Sequence, residues 1–521
     1  MKRCMLIVFG MFCLEGTLLW GEVNLPSIFS DNMVLQAGKP VPVWGTATPG
    51  EIVTVELSPV VARTLLFTRH EVVARAKAGA DGVWRVSLAR LYASDKAATL
   101  KVKGSASPEL VATNVLVGEV WICSGQSNME FPVARVINAE KEIAASANPL
   151  LRQFKVIKKT SVTPLAECAG KWELADTNTV GGFTAVGYFY GRDLQAALKV
   201  PVALIHASWG GTPAEAWTSR AGLESDPDLK ALMESQLANL AKVDAKADPK
   251  KQPRLQNTST CLYNSMINPL IPYAVAGAIW YQGESNAGRA VQYRRLFPTL
   301  ITNWRTLWNQ GDFPFYFCQL ANFMAKETNP VESAWAELRE AQTLTLKLPH
   351  TGQAVLIDIG EAADIHPRNK QEVGSRLALV SLSKTYGRKV EFSGPVYKSI
   401  KVIGSKARIS FSNLGGGLVA GVIPATYQPK SLEPETKPLE RNSPGSQLEG
   451  FAICGTDKVW VWADAVIEGN TVVVSSPRVA EPVAVRYAWA NNPTCNLLNK
   501  TGLPAGPFRT DNFPAITGKA K

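Results

Sequence analysis

The spacing of apolar and polar positions changes twice along this chain. From Asn24 to about Thr113, short runs such as VPVWG, EIVTVEL and GVWRVSL alternate between the two kinds, with Gly, Pro and Asp turns between them every 8–12 residues or so. That pattern predicts an all-β region of sandwich type. From Val115 the β runs become continuously apolar, as in VLVGEVWICSG, PVALIHAS, VAGAIWY, FPFYFCQL and AVLIDIG, and stretches with helical spacing (VGYFYGRDLQAAL, YRRLFPTLITNWRTLW, WAELREAQTLTL) stand between them. Unbroken apolar strands are those covered on both faces, so this block, to about residue 385, reads as a parallel α/β sheet with crossover helices. Alternation returns in KSIKVIGSKARISFS, KVWVWADAVIEGNTVVVSS and PVAVRYAWA, which predicts a second β-rich region over 386–521.

Within the α/β block, SDPDLKALMESQLANLAKV begins with Asp226 and Pro227 and carries Leu229, Leu232, Met233, Gln236, Leu237 and Leu240 on one helical stripe. With the Lys- and Pro-containing stretch after it, this segment reads as an insertion over about 222–256. At the start, Lys2 and Arg3 precede an apolar run of signal-peptide length. Residues 1–21 are therefore expected to be an export signal, followed by a β-rich region over 22–113 and the α/β block over 114–385. No later stretch reaches the length of a membrane span, and Phe12 before Cys13 does not suit a lipoprotein anchor, so a soluble secreted or periplasmic product is expected.

A length of 521 residues exceeds what one core supports, and 46% hydrophobic with 19% charged residues excludes a disordered chain. The net charge of +11 raises the question of a nucleic-acid partner. Its one cluster, AKVDAKADPKKQPR, is interleaved with Asp and Pro and reads as a solvated loop, so no nucleic acid is expected. Six of the eight cysteines (Cys123, Cys168, Cys261, Cys318, Cys454, Cys495) lie beyond the leader, with no CxxC pair and no histidines at ligand spacing; neither a metal nor a cofactor is expected.

Ligands of open α/β sheets gather where the strands end at their carboxyl side. Four polar clusters stand there: SGQSNM with Ser127, WGGTPAEAW with Gly210 and Gly211, QGESN with Gln282, Glu284 and Asn286, and DIHPRNK with Asp364 and His366. A serine becomes a nucleophile when a base takes its proton, and histidine serves near neutrality when an acid steadies its other nitrogen. Asp364 stands two residues before His366, and Pro367 favours an extended His366, so both side chains leave the backbone on one face. The other histidines fit poorly. His70 lies in the β region, His350 ends a helical stretch, and His206 sits inside an apolar strand as a core histidine. Candidate donors to an oxyanion are the Ser127 N–H, Gly210 or Gly211, and Gln282.

GQSNM, SWGGTPAEAW, WYQGES and DIHP, in this order, resemble the block motifs of SGNH-type hydrolases and, within them, the sialate O-acetylesterase branch of the carbohydrate esterases. LPSIFSDNMVLQ, VPVWGTATPGE, WAELREAQ, RYAWANNP and GLPAGPFRTD extend the resemblance along nearly the whole chain beyond the leader. It implies a three-layer α/β/α core flanked by β-sandwich-like regions, a serine esterase with nucleophile Ser127, base His366 and acid Asp364, an oxyanion hole completed by Gly210 or Gly211, and an O-acetylated sugar as substrate. Gln126 stands where the wider superfamily has Asp, and Ala363 where it has the acid. Gln126 and Asn286 are then candidates for contacting the substrate. Arg339, in the WAELREAQ motif, is the candidate for receiving a sialate carboxylate. An acetylxylan or other polysaccharide acetylesterase, and a carbohydrate-binding protein with a vestigial site, are the alternative readings. Oligomeric state stays open.

Overall fold

The computed structural model describes residues 22–60, 62–63, 68–69, 71–242, 254–421 and 447–518. The expected export signal, His70 and most of the basic cluster lie outside them.

Seven strands form the central sheet, in the spatial order Gly170–Ala175, Asn148–Val156, Val202–Ser208, Leu110–Gly125, Gly277–Tyr281, Phe315–Cys318 and Thr351–Ala354. All are parallel except the first, an antiparallel edge. Both faces are covered, as their apolar sequences require. Trp121 and Trp280 lie on adjacent strands, and with Trp121 opposite Gly277 and Trp280 opposite Ser124 they point to opposite faces. Trp121 packs on Tyr190 of helix Ala185–Leu198, whereas Trp280 packs on Phe297 and Trp304 of helix Ala290–Trp308. Helix Lys370–Lys384 joins the first layer and helix Ala334–Leu344 the second. Three layers result.

The strand Leu110–Gly125 is long because it belongs to two sheets at once. Its first half pairs with Ser94–Gly104 and with Val34–Gln36 of the N-terminal β region, and from Glu119 onward it pairs with Val202–Ser208. The change of rhythm at 113–115 therefore falls inside a single strand. Towards the C-terminus, two four-stranded antiparallel sheets enclose a second core that includes Ile409, Val472, Val474, Phe451, Val485 and Tyr487.

Helix Pro227–Ala241 forms as its sequence predicts, with the Asp226 carboxylate accepting the N–H groups of Asp228 and Leu229. One expected strand differs. Of AVLIDIG only Ala354 is paired, as the last residue of the edge strand Thr351–Ala354; residues 355–360 leave the sheet. The six cysteines are all free thiols, five of them buried. Among the described residues, no helix is long and apolar enough to cross a membrane.

Candidate active site

Gly125 ends the central strand with φ of 134°, and a Cβ there would stand 2.2 Å from the Tyr281 carbonyl oxygen, so only glycine fits. The Gln126 N–H donates to that same carbonyl at 3.0 Å, and the chain turns into the short helix Ser127–Glu130. Ser127 thus stands at a strand-to-helix turn, partly exposed, as the first residue of a helical turn whose Met129 and Glu130 N–H groups donate to the Gln126 carbonyl.

Asp364 and His366 lie on the loop after Thr351–Ala354. Asp364 Oδ1 accepts the His366 N–H at 2.8 Å and lies 3.2 Å from His366 Nδ1. Burial holds the His366 imidazole below its usual pKa; Asp364 opposes this, and the charges of Lys370 and Arg135 add to it.

Asn128 ties this loop to the serine turn. Its Nδ2 donates to the Ile365 carbonyl at 3.0 Å and to Glu284 Oε1 at 2.6 Å, while its Oδ1 accepts from Lys370 Nζ at 2.6 Å. The Phe131 ring lies against the His366 ring, centroids 6.4 Å apart. Residues adjoining Ser127 on one side and His366 on the other are thereby locked together.

Lys370, Asn128 and Glu284 are the residues the sequence reading missed as a unit. The Lys370 ammonium is fully buried between the Phe131 and Tyr281 rings, and burial pulls its pKa down to about 7. Burial pushes the Glu284 carboxyl up, and its Oε2 is enclosed with no hydrogen-bond partner among the described residues. The signal available in the sequence was only that Lys370 completes DIHPRNK and Glu284 sits in QGESN.

Four candidates take different places from those expected. Arg339 is wholly buried and donates to four carbonyls, those of Leu320 (2.8 Å), Ala321 (2.8 Å), Ala490 (2.7 Å) and Asn491 (2.9 Å), so it clamps the sheet to the C-terminal region and receives no substrate. Gln282 is turned inward, its amide held by Tyr293 (2.9 Å), Asn286 (2.6 Å) and the Thr212 carbonyl (3.3 Å), which leaves nothing for an oxyanion. Asn286 is spent on Gln282, the Ala214 N–H and Glu215. Gln126 is buried and its Oε1 accepts from the Ser285 N–H at 3.3 Å, a link between turns.

Of the glycine pair, Gly210 lies beside the serine: a Cβ on it would stand 3.3 Å from Ser127 Cβ. Its N–H, however, donates to Glu130 Oε2 at 2.7 Å, and Glu130 in turn pairs with Lys158 at 2.5 Å. Gly211 is exposed with φ of 72°. His206 is a core histidine, hydrogen-bonded to Ser208 at 2.6 Å, with burial lowering its pKa to about 3.

A serine at a strand-to-helix turn beside a glycine, with a carboxylate-backed histidine on an adjoining loop, suits acyl transfer. A family profile described as carbohydrate esterase, sialic acid-specific acetylesterase, matches residues 117–382, more than half of the chain. The chain belongs to this family of carbohydrate esterases. The esterase is 38% identical to a carbohydrate acetylesterase of known structure from Xanthomonas citri, with a TM-score of 0.79 over 94% of this chain and 100% of that one. It is also 29% identical to sialate O-acetylesterase of Homo sapiens (94% of each chain) and 28% identical to that of Mus musculus (89% of this chain, 90% of the mouse protein). It is thus a carboxylic ester hydrolase acting on O-acetylated sugars.

Proposed function

We propose that the esterase removes acetyl groups from O-acetylated sialic acids by a serine mechanism, with Ser127 as nucleophile, His366 as general base and Asp364 as the acid that steadies it. The observation carrying this reading is the Asp364–His366 pair on a loop that Asn128 fastens to the Ser127 turn. With Asp364 accepting from Nδ1–H, the lone pair of His366 is on Nε2. Ser127 Oγ attacks the acetyl carbonyl carbon as its proton passes to Nε2. The oxyanion takes the Ser127 N–H, at the positive end of its turn. Collapse breaks the bond to the sugar oxygen, which leaves with the proton from His366, and acetyl-Ser127 remains. Water, giving a proton to His366, then attacks the acetyl group; acetate departs and Ser127 regains its hydrogen.

The names of the human and mouse relatives support the sialate substrate. The basic and apolar leader at residues 1–21 supports export, and with it action on glycans outside the cytoplasm. Two measurements test the reading. Rapid-quench mass spectrometry should find an acetyl group on Ser127 during turnover. O-acetylated N-acetylneuraminic acid should be hydrolysed faster than acetylated xylose oligomers; the reverse order would assign the enzyme to neutral polysaccharide.

A further inference from the structure

A sialate carries a carboxylate, and the burial of Arg339 leaves that group without its expected partner. Several other cations around the site are also committed. Lys370 is enclosed on Asn128, Lys158 is matched by Glu130 at 2.5 Å, Arg289 by Glu215 at 2.6 Å, and Arg376 by Asp358 at 2.6 Å.

Arg135 is different. It closes the one-turn helix Val133–Arg135, which follows the serine turn directly, and it is exposed. Two residues on, the Ile137 N–H donates to the carbonyl of Arg368 at 3.2 Å, which seats this segment against the histidine loop. The Arg135 guanidinium lies over the Phe131 ring, Cζ 4.8 Å from its centroid, and Phe131 is the ring that lies against His366. Among the described residues the guanidinium has no hydrogen-bond or ion-pair partner. An arginine stacked on an aromatic face keeps its plane fixed while its edge N–H groups point outward, and that edge matches both oxygens of a carboxylate.

The geometry points to Arg135 as the residue that receives the substrate's carboxylate, forming an anion subsite on the Phe131 ring that also lies against His366. This rests on the sialate reading above. It makes the segment after the nucleophile, rather than the WAELREAQ helix, the determinant of preference for an acidic sugar.

The test compares O-acetylated N-acetylneuraminic acid with an O-acetylated neutral hexose and 4-nitrophenyl acetate, on the wild type and on Arg135→Gln, Arg135→Lys and Lys158→Gln. In Arg135→Gln, kcat/KM for the acetyl sialate relative to the neutral hexose should fall tenfold or more. The loss should appear in KM, and Arg135→Lys should restore part of it. Added salt should raise the wild-type KM for the sialate and leave that of Arg135→Gln nearly flat, because the attraction being screened has gone. An unchanged sialate-to-hexose ratio in Arg135→Gln, or a loss of that ratio in Lys158→Gln instead, overturns the inference while leaving the sialate reading intact. A wild type that prefers the neutral hexose overturns that reading, and Arg135 as carboxylate receiver with it.

Discussion

Lys370 Nζ donates to Asn128 Oδ1 at 2.6 Å, and through that contact a buried cation holds the side chain that joins the serine turn to the histidine loop. Lys370→Met removes the donor and leaves the amide oxygen unpaired in a dry setting. Asn128 is then free to turn, and the relation of Ser127 to His366 loosens. Misplacement on the scale of 1 Å costs about 10²-fold. The expected result is a kcat for 4-nitrophenyl acetate lowered by about that factor in protein that circular dichroism shows to be folded; a kcat within threefold of wild type would make Lys370 merely a packed residue.

Ser127→Ala and His366→Ala should each lower turnover of an aryl acetate by about 10⁴-fold or more, with the double variant scarcely worse, since nucleophile and base act as one unit. Asp364→Asn should cost less than either, because the Asp364 side chain is 47% exposed and its bond to Nδ1 is 3.2 Å. A loss under tenfold in that variant would assign the orienting of His366 to the backbone. Steady-state kinetics on the four proteins decides both points.

The pH profile of kcat/KM follows from the groups around His366. In the proposed serine mechanism His366 acts as the neutral imidazole, and burial together with Lys370 and Arg135 favours that form. The acid limb should therefore bend below the ordinary histidine value of about 6.5. Arg135→Gln removes a charge that opposes protonation, so its limb should move to higher pH. Asp364→Asn removes the group that favours protonation, so its limb should move lower still. Shifts in the opposite directions would show that another group controls the limb.

Arg339→Ala should act on the fold and not on substrate choice. The guanidinium satisfies four carbonyls, three of them on buried residues, that no replacement reaches, and burial already draws its pKa down to about 9. A loss of several kcal/mol is expected, seen as a lowered Tm and a smaller unfolding free energy in urea. Rates per folded molecule on acetyl sialate and on aryl acetate should change by the same factor; a loss confined to the sialate would return Arg339 to the binding site.

Ser127, Asp364 and His366 stand out in the sequence as candidates because each follows an apolar run, and the structure sets the Asp364–His366 loop against the Ser127 turn through Asn128. It could not separate Arg339 from a ligand-binding arginine, since its four partners come from two distant segments, 320–321 and 490–491, and carbonyls leave no mark in a side-chain pattern. Lys370 was hidden for a related reason: a lysine just after the capping Asn369 looks like the solvated start of a helix. AVLIDIG looked like a strand because its burial is real, with Leu356 and Ile359 fully enclosed. Its backbone takes another partner, however, as the Val355 carbonyl accepts from Arg376 at 2.5 Å. The true strand, TGQA, lacks apolar marks, and Gly352 is there because a Cβ would stand 2.4 Å from Val380 of the covering helix.

The strand Leu110–Gly125 bears on how far the catalytic machinery can be treated as a module. Its far end delivers the turn that carries Ser127, while its near end is laid between Val34–Gln36 and Ser94–Gly104. A fragment begun at residue 114 would keep every residue of the site and yet start in mid-strand. Its Leu116, Val117 and Gly118 would face solvent where Val34, Leu35 and Gln36 had covered them. Such a bare edge invites pairing between copies. The esterase core is therefore not portable on its own: grafted or expressed without the N-terminal sheet, it should aggregate before it catalyses.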